Sequence, residues 1–319
     1  DADGNFLAIR SDDRADLGAY AGPFGPFIAT RNLTITMGGV YRVPALYGRT
    51  RLAYSNTTPM SAYRGAGRPD IAYAVERLVD YAAHEHGFDP IELRRKNFIS
   101  PTAMPYKTAN GCTYDCGEFE SVMDDAMGRA DWPGFSRRRL ASTRAGKLRG
   151  LGIATYLEAG GGGAAPKDQV AVEFDRKGGM TLYAVTHSSG QGHETVFPQI
   201  VAETLGIPVE HVRYHPRPPS AELVGNGTGG SRGVLGTGSA FRVLGEKLIE
   251  TARPHAAAKL GAPTGELRYS DGKFHAGRRS IGFLELARAL AGPKTHPLVI
   301  VAEGVFGQSF PNGCHIAED

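Results

Sequence analysis

Apolar positions along the chain recur with two different periods. Ile71, Val75, Leu78, Val79 and Ala82 return every three to four residues, which predicts a helix that Gly87 ends. Asp89-Pro-Ile-Glu92 follows as an N-cap, a proline at the first helical position and a capping-box glutamate, opening a short helix through Lys96. Val196, Ile200, Val201 and Leu205 mark another helix, and further helices are expected at Phe119 to Ala130, from about Ala240 towards Lys259 with a break or delay at Pro254, and at Gly282 to Leu290. Strand composition marks Phe6–Arg10, Leu33–Met37, Gly150–Leu157, Val170–Phe174, Met180–His187, 267–274 and 297–301. The turn Asp175-Arg-Lys-Gly-Gly179 pairs 170–174 with 180–187 as a hairpin. Interleaved helices and strands of this kind make an α+β chain, with mixed sheets and packed helices.

Three loops between these elements share one chemistry. Ser188 to Thr195 joins a strand to a helix with glycines at 190 and 192, so free N–H groups of the first helical turn stand beside Gln191, His193 and Thr195. Ser55 to Pro69 brackets Gly65 and Gly67 between Arg64 and Arg68. Gly225 to Ser239 combines many glycines with Thr228, Ser231 and Arg232, but lacks the Lys-Ser/Thr ending of a P-loop and any dinucleotide fingerprint. Each loop is also compatible with a plain glycine-rich turn. Together they point to one elongated ligand with several oxyanions. A fourth glycine run, Gly160 to Gly163 after Glu158, reads as a mobile or closely packed loop.

Composition narrows the possibilities. At 319 residues the chain has room for two domains, divided here as 1–100 and 148–319 with a Pro- and Gly-punctuated linker at 101–147. The net charge, 36 − 33 = +3, gives no case for nucleic-acid binding, and the runs Arg94-Arg95-Lys96 and Arg137-Arg138-Arg139 read as solvated helix faces. Cys112, Cys116 and Cys314 form neither a disulfide framework nor a zinc pattern, which points to free thiols in a reducing compartment. No apolar run approaches the ~18 residues of a membrane span and no signal peptide opens the chain, so a cytoplasmic location is expected. Both ends read as cut inside a sheet, the mark of a fragment or of a subunit completed by another chain.

The motifs Ala62-Tyr-Arg-Gly-Ala-Gly-Arg-Pro69, Gly190-Gln-Gly-His-Glu-Thr195 and Gly227-Thr-Gly-Gly-Ser-Arg232 occur in that order. With the opening Asp1-Ala-Asp-Gly and the segment Glu92 to Asn97, the chain resembles the molybdenum-cofactor-binding large subunit of the xanthine dehydrogenase, aldehyde oxidase and aerobic carbon monoxide dehydrogenase family. The resemblance covers essentially the whole chain and implies an internal fragment with parts of two molybdenum-cofactor-binding domains, both incomplete. It implies molybdopterin, in its cytosine dinucleotide form, carrying molybdenum with no direct side-chain ligand from the protein. Gly190, Gln191, Gly192, His193 and Thr195 would bind the pterin and its pyrophosphate, and Thr228, Ser231 and Arg232 would hold the dinucleotide tail. Ala62, Tyr63, Arg64 and Gly65 would pass beside the metal, with Arg64 near its oxo ligand in a catalytic role.

By the same resemblance the reaction is hydroxylation of an aldehyde, an N-heterocycle or a similar small molecule, with water as oxygen source. Electrons would leave through Fe–S and FAD partner subunits in a homo- or hetero-oligomer. Gly65 stands where the copper type of carbon monoxide dehydrogenase carries cysteine, leaving a homologue of that large chain without copper as one alternative. The family's Gly-x-Gly-Glu loop with the catalytic glutamate is absent, so the chain alone is expected to be inactive. A non-redox phosphate or nucleotide module and a purely structural fragment are the remaining alternatives.

Overall fold

The computed structural model describes residues 1–161, 165–216, 222–292 and 295–319. It forms two compact units, Asp1–Ala159 with Ser309–Asp319, and Gly160–Gln308.

In the first unit the strands Ala8–Asp16 and Ala45–Ala53 pair in parallel, Ile9 beside Leu46. The chain between them is helical where a strand is expected at 33–37: Gly25–Phe27, a π turn Ile28–Asn32 and Leu33–Ile35 run on from one another. Packing overrides the β-branched composition here. Ile28, Ala29, Asn32, Ile35 and Thr36 are the buried positions, a spacing that a helix can turn to one side and a strand cannot. The helix Arg68–His86 ends as expected at Gly87, φ +72°, whose N–H returns to the Ala83 carbonyl. Ile71, Val75, Val79 and Ala83 face inward, whereas Leu78 is 49% exposed and Glu76 is buried in its stead. Asp89 caps Pro90–Asn97, accepting the N–H groups of Ile91 at 2.8 Å and Glu92 at 3.0 Å.

Arg94 corrects the expectation of a solvated basic face. Successive residues of a helix point about 100° apart, so three in a row cannot share one face. Arg94 turns fully inward, its Nε 3.1 Å from Glu76 Oε2 and its Nη1 2.9 Å from Asp80 Oδ1. Glu76 also accepts the Tyr41 hydroxyl at 2.6 Å and the Thr155 N–H at 2.9 Å. Burial, then the neighbouring Glu76 carboxylate, pushes the Tyr41 phenol well above its usual range. Arg95 points outward to Glu120 and Asp124, and Arg138 of the second basic run pairs with Asp131 and Glu318. The stretch 101–147 belongs to this first unit, with Phe119 and Met123 of the helix Phe119–Arg129 buried in its core. The strand Leu151–Leu157 pairs antiparallel with Asn312–Glu318.

The second unit is built on a four-stranded sheet in the order Ile300–Gly304, Asp168–Phe174, Met180–Ala184, Val212–Pro216. The hairpin 168–184 forms as expected, and the last pair is parallel, with the helix His193–Leu205 in the connection. That helix and Ser239–Leu260 pack onto the sheet in one apolar core. Gly245 lets the two helices approach, since a Cβ there would lie 2.7 Å from Thr204 Cγ2. Ser239–Leu260 runs through Pro254 unbroken, contrary to expectation. Pro254 lies on the exposed side, where water can satisfy the freed carbonyl, while Ala252, Ala256 and Ala257 stay buried. The expected strand 267–274 is two, Arg268–Ser270 and Lys273–Ala276, turning at Asp271 and Gly272, both at positive φ. No helix of the described residues is long and apolar enough to cross a membrane.

Replacing Arg94 by alanine leaves Glu76 buried without its cation, and should cost about 3–5 kcal/mol in a urea unfolding curve. Glu318 supplies a pH test. Its hydrogen bonds from Arg138, and then from Arg149, lower its carboxyl from 4.5 to about 2. A depressed folded-state value means stability that is present above pH 4.5 and lost as pH falls towards 2. Glu318→Gln should therefore flatten that part of the melting temperature against pH curve; an unchanged acid limb would show that this ion pair plays no part in it.

Candidate functional site

The strand expected to run to His187 stops at Ala184, and the residues after it form the first wall of a cavity. Gly190 and Gly192 sit at φ +101° and +80°, left-handed backbone that only glycine adopts cheaply, and nothing lies within 4 Å of where their Cβ atoms would be. They hold the turn open in front of the helix His193–Leu205, whose N-cap is Gly192. Gln191 is fastened at both ends of its amide, accepting the Ser189 N–H and donating to the His187 carbonyl at 3.3 Å. His193 is buried and stacked on Phe197 at 4.6 Å between ring centroids. Its Nδ1 has no hydrogen-bond partner among the described residues. Thr195 is exposed, its N–H on the Gly192 carbonyl. The Glu194 carboxyl is held below its ordinary range by its own backbone N–H and the Ser188 hydroxyl.

The second wall is the glycine-rich loop leading into Ser239–Leu260. Its glycines are required for close approach: a Cβ on Gly233 would lie 2.9 Å from His193 Nε2, and one on Gly236 2.7 Å from Asp168 Oδ2. Thr228 donates its hydroxyl to the His187 carbonyl, which ties this loop to the first. Ser231 stands at φ +55°. Arg232 curls under its own loop, Nε donating to the Gly229 carbonyl at 2.6 Å and Nη1 reaching Asn226 Oδ1 at 3.5 Å. Gln191, His193, Thr228, Ser231 and Arg232 thus converge on one cavity of about 350 Å³, together with Val196 and Val234. Thr195, Gly190 and Gly192 shape its entrance helix and turn without lining it.

The third predicted loop belongs to the first unit. Ala62, Tyr63 and Arg64 are exposed there, Tyr63 at 87%, and Gly65 is half-buried. Gly65, Ala66 and Gly67 are all left-handed, and Asn32 Nδ2 fixes the loop by donating to the Ala66 carbonyl at 2.8 Å. Arg68, expected beside Arg64 as an oxyanion ligand, is instead ion-paired with Glu158 and sits nine-tenths buried. Of the glycine run after Glu158, residues 162–163 lie outside the described residues.

Reasoning from sequence passes over Asn226, Asp168 and Asn32. Asn226 sits between glycines, a position that by itself does not tell an enclosed amide from a solvated one, and Asp168 and Asn32 lie in a strand and a helical turn with no signal.

The donor set fits a pterin dinucleotide. An imidazole, a carboxamide, two hydroxyls and a guanidinium line one cavity beside open left-handed turns, which suits a flat heterocycle linked to phosphates. Residues 125–318 and 1–98 each match a molybdopterin cofactor-binding domain. The chain belongs to the molybdopterin cofactor-binding family. Among relatives of this family, it is 31% identical to the nicotine 6-hydroxylase large subunit of Paenarthrobacter nicotinovorans over 79% of its own length and 32% of that protein. It is 29% identical to the carbon monoxide dehydrogenase large chain of Hydrogenophaga pseudoflava, over 85% of this chain and 36% of the other. In structure it superposes on quinoline 2-oxidoreductase of Pseudomonas putida 86 with TM-score 0.87 and 27% identity, over all of this chain and 43% of that one. A Cu,Mo carbon monoxide dehydrogenase gives 0.86 at 26% identity, over 99% and 43%. The chain therefore spans about a third of the length of these curated relatives.

Gly192→Ala isolates the backbone requirement of the family's glutamine loop. With open space around the new methyl, the whole cost is the left-handed dihedral, and the thermal melt should show a loss of about 1–2 kcal/mol.

Proposed function

We propose that this chain is the molybdopterin-binding part of a molybdenum hydroxylase that oxidises an N-heterocycle, aldehyde or similar small molecule with oxygen from water. In this reading the cofactor is the cytosine dinucleotide form, the electrons pass to Fe–S and FAD partner subunits of a cytoplasmic oligomer, and the two cofactor-binding domains lie in 1–100 and 148–319. The observation that carries it is the convergence of Gln191, His193, Thr228, Ser231 and Arg232 on one cavity.

When bound, the molybdenum centre supplies the two-electron redox chemistry. The residues of this chain bind and orient it. His193 and Gln191 would line the side offered to the pterin, Thr195 and the start of the helix His193–Leu205 would meet the pyrophosphate, and Ser231 and Arg232 the nucleotide tail. Arg64, for which the described residues hold no carboxylate partner, is the cation offered beside the reacting centre. Glu158 is committed to its ion pair with Arg68, and the Glu194 carboxyl is held below its ordinary range at an exposed helix start, so neither stands free as the general base of this centre.

Copper chemistry at this position is disfavoured by geometry as well as by residue type, which leaves the copper-free large-chain homologue as the alternative. Gly65 has φ +87°, and a Cβ there would lie 2.5 Å from Pro69 Cγ, so a cysteine could not occupy this backbone as it stands. The names of two similar proteins, a nicotine hydroxylase and a quinoline oxidoreductase, support an N-heterocyclic substrate.

The test is elemental analysis of the purified chain with acid release of bound nucleotide. Near-stoichiometric molybdenum with cytidine monophosphate is expected, and Arg232→Ala should weaken retention roughly tenfold or more, the loss of charge-assisted hydrogen bonds. A chain stabilised by ordinary nucleotides, with no molybdenum in any preparation, would instead identify a non-redox nucleotide module.

A further inference from the structure

Arg232 lines a second, smaller cavity of about 180 Å³, whose floor is formed by Asp168 and Asn226. None of the three sequence motifs contains either of these two residues, yet they share a dense set of hydrogen bonds. Asn226 is buried. Its N–H donates to Asp168 Oδ1 at 2.9 Å, its carbonyl accepts the Thr186 hydroxyl at 3.0 Å, and its Oδ1 accepts the Ala165 N–H at 2.9 Å. Its Nδ2 donates to Asp168 Oδ2 and to the Ala165 carbonyl, both at 3.4 Å. Thr186 is itself held by Thr237 at 2.7 Å, so Asn226 is anchored to the sheet and to the root of the long helix at once.

An amide with so many partners has one orientation, and it presents Oδ1 to Arg232 Nη1. Arg232 has five N–H donors. One is spent on the Gly229 carbonyl and one is directed at Asn226, and a Cβ on Gly229 would lie only 3.2 Å from Nη2, so the guanidinium is folded beneath the Gly229–Gly230 turn. No carboxylate forms an ion pair with it among the described residues. Asp168 takes the backbone N–H of Asn226 and stops short of the cation, which keeps the positive charge uncancelled.

We infer that Asn226, braced by Asp168, is a positioning residue that sets the Arg232 guanidinium with its remaining N–H groups presented to a phosphate of the bound dinucleotide. The inference rests on the cofactor reading above and adds to it a residue acting through Arg232. Fixing a long cationic side chain before the ligand arrives removes its rotamer freedom in advance, so less entropy is lost on binding.

The experiment uses the full chain and two probes, inorganic pyrophosphate and cytidine diphosphate, titrated by calorimetry. Asn226→Ala should raise Kd about tenfold. Asn226→Asp places an acceptor oxygen against Asp168 and the Ala165 carbonyl where Nδ2 now donates, so a thermal melt is read first; in the folded variant Kd should rise further, because the carboxylate pairs with Arg232 and takes up the charge meant for phosphate. The deciding readout is a double-mutant cycle: in an Arg232→Ala background either change at 226 should have little further effect. Losses that add across the cycle would overturn the inference while leaving the cofactor reading intact. An unsubstituted chain that binds neither probe would overturn both. Should Asn226→Ala fail to fold, Asn226→Ser, which is small and polar and cannot reach Arg232, decides in its place: unchanged affinity for both probes would contradict a role through Arg232.

Discussion

Sealing a guanidinium away from water is tolerable only if its N–H groups find partners, and the first unit is arranged around meeting that requirement for Arg94. Glu76 from one helix, Asp80 a turn later and the Ile153 carbonyl of a strand each take part. The same Glu76 carboxylate then accepts from Tyr41 and Thr155, so one buried pair also joins two stretches that are 35 and 79 residues from Glu76 in sequence. A pair of this kind adds little net stability over an apolar substitute, but breaking it is severe, which makes it a device for register more than for strength. It fixes how the helix Arg68–His86 is rotated, and that rotation sets where the Ala62–Gly67 loop leaves its N-terminus.

The second unit meets a related constraint with neutral groups. A loop so rich in glycine has little side-chain area to bury, and its backbone would be costly to order on its own. Thr186, Thr237, Asp168 and Asn226 supply the anchors, and Tyr214, pushed up to about 12 by burial, donates to the Thr186 carbonyl beside them. With the loop fastened from below, its hydroxyls and guanidinium line the cavity opposite Gln191.

Much of this was legible in the sequence, for identifiable reasons. Helices with three-to-four spacing and glycine stops, such as Arg68–His86 and His193–Leu205, were readable because local pattern and tertiary burial agree. The glutamine and glycine-rich loops were readable because few other roles require glycine beside polar side chains so densely. Residues 33–37 were misread because propensity favoured a strand while the buried spacing favoured a helix, and Pro254 because a proline's effect depends on which side of the helix it faces. Arg94, Asp168 and Asn226 were out of reach for a deeper reason. Their roles come from partners distant in sequence, and a charged or amide residue looks alike whether it is solvated or enclosed.

The left-handed turn at Gly65 carries a historical consequence. A side chain on this backbone would have to bear a left-handed dihedral and push aside Pro69, whose ring occupies the space. A reactive group gained here by substitution alone would therefore arrive in a strained loop. Lineages descending from such a loop would be expected to keep their chemistry at this corner and to diversify elsewhere in the pocket.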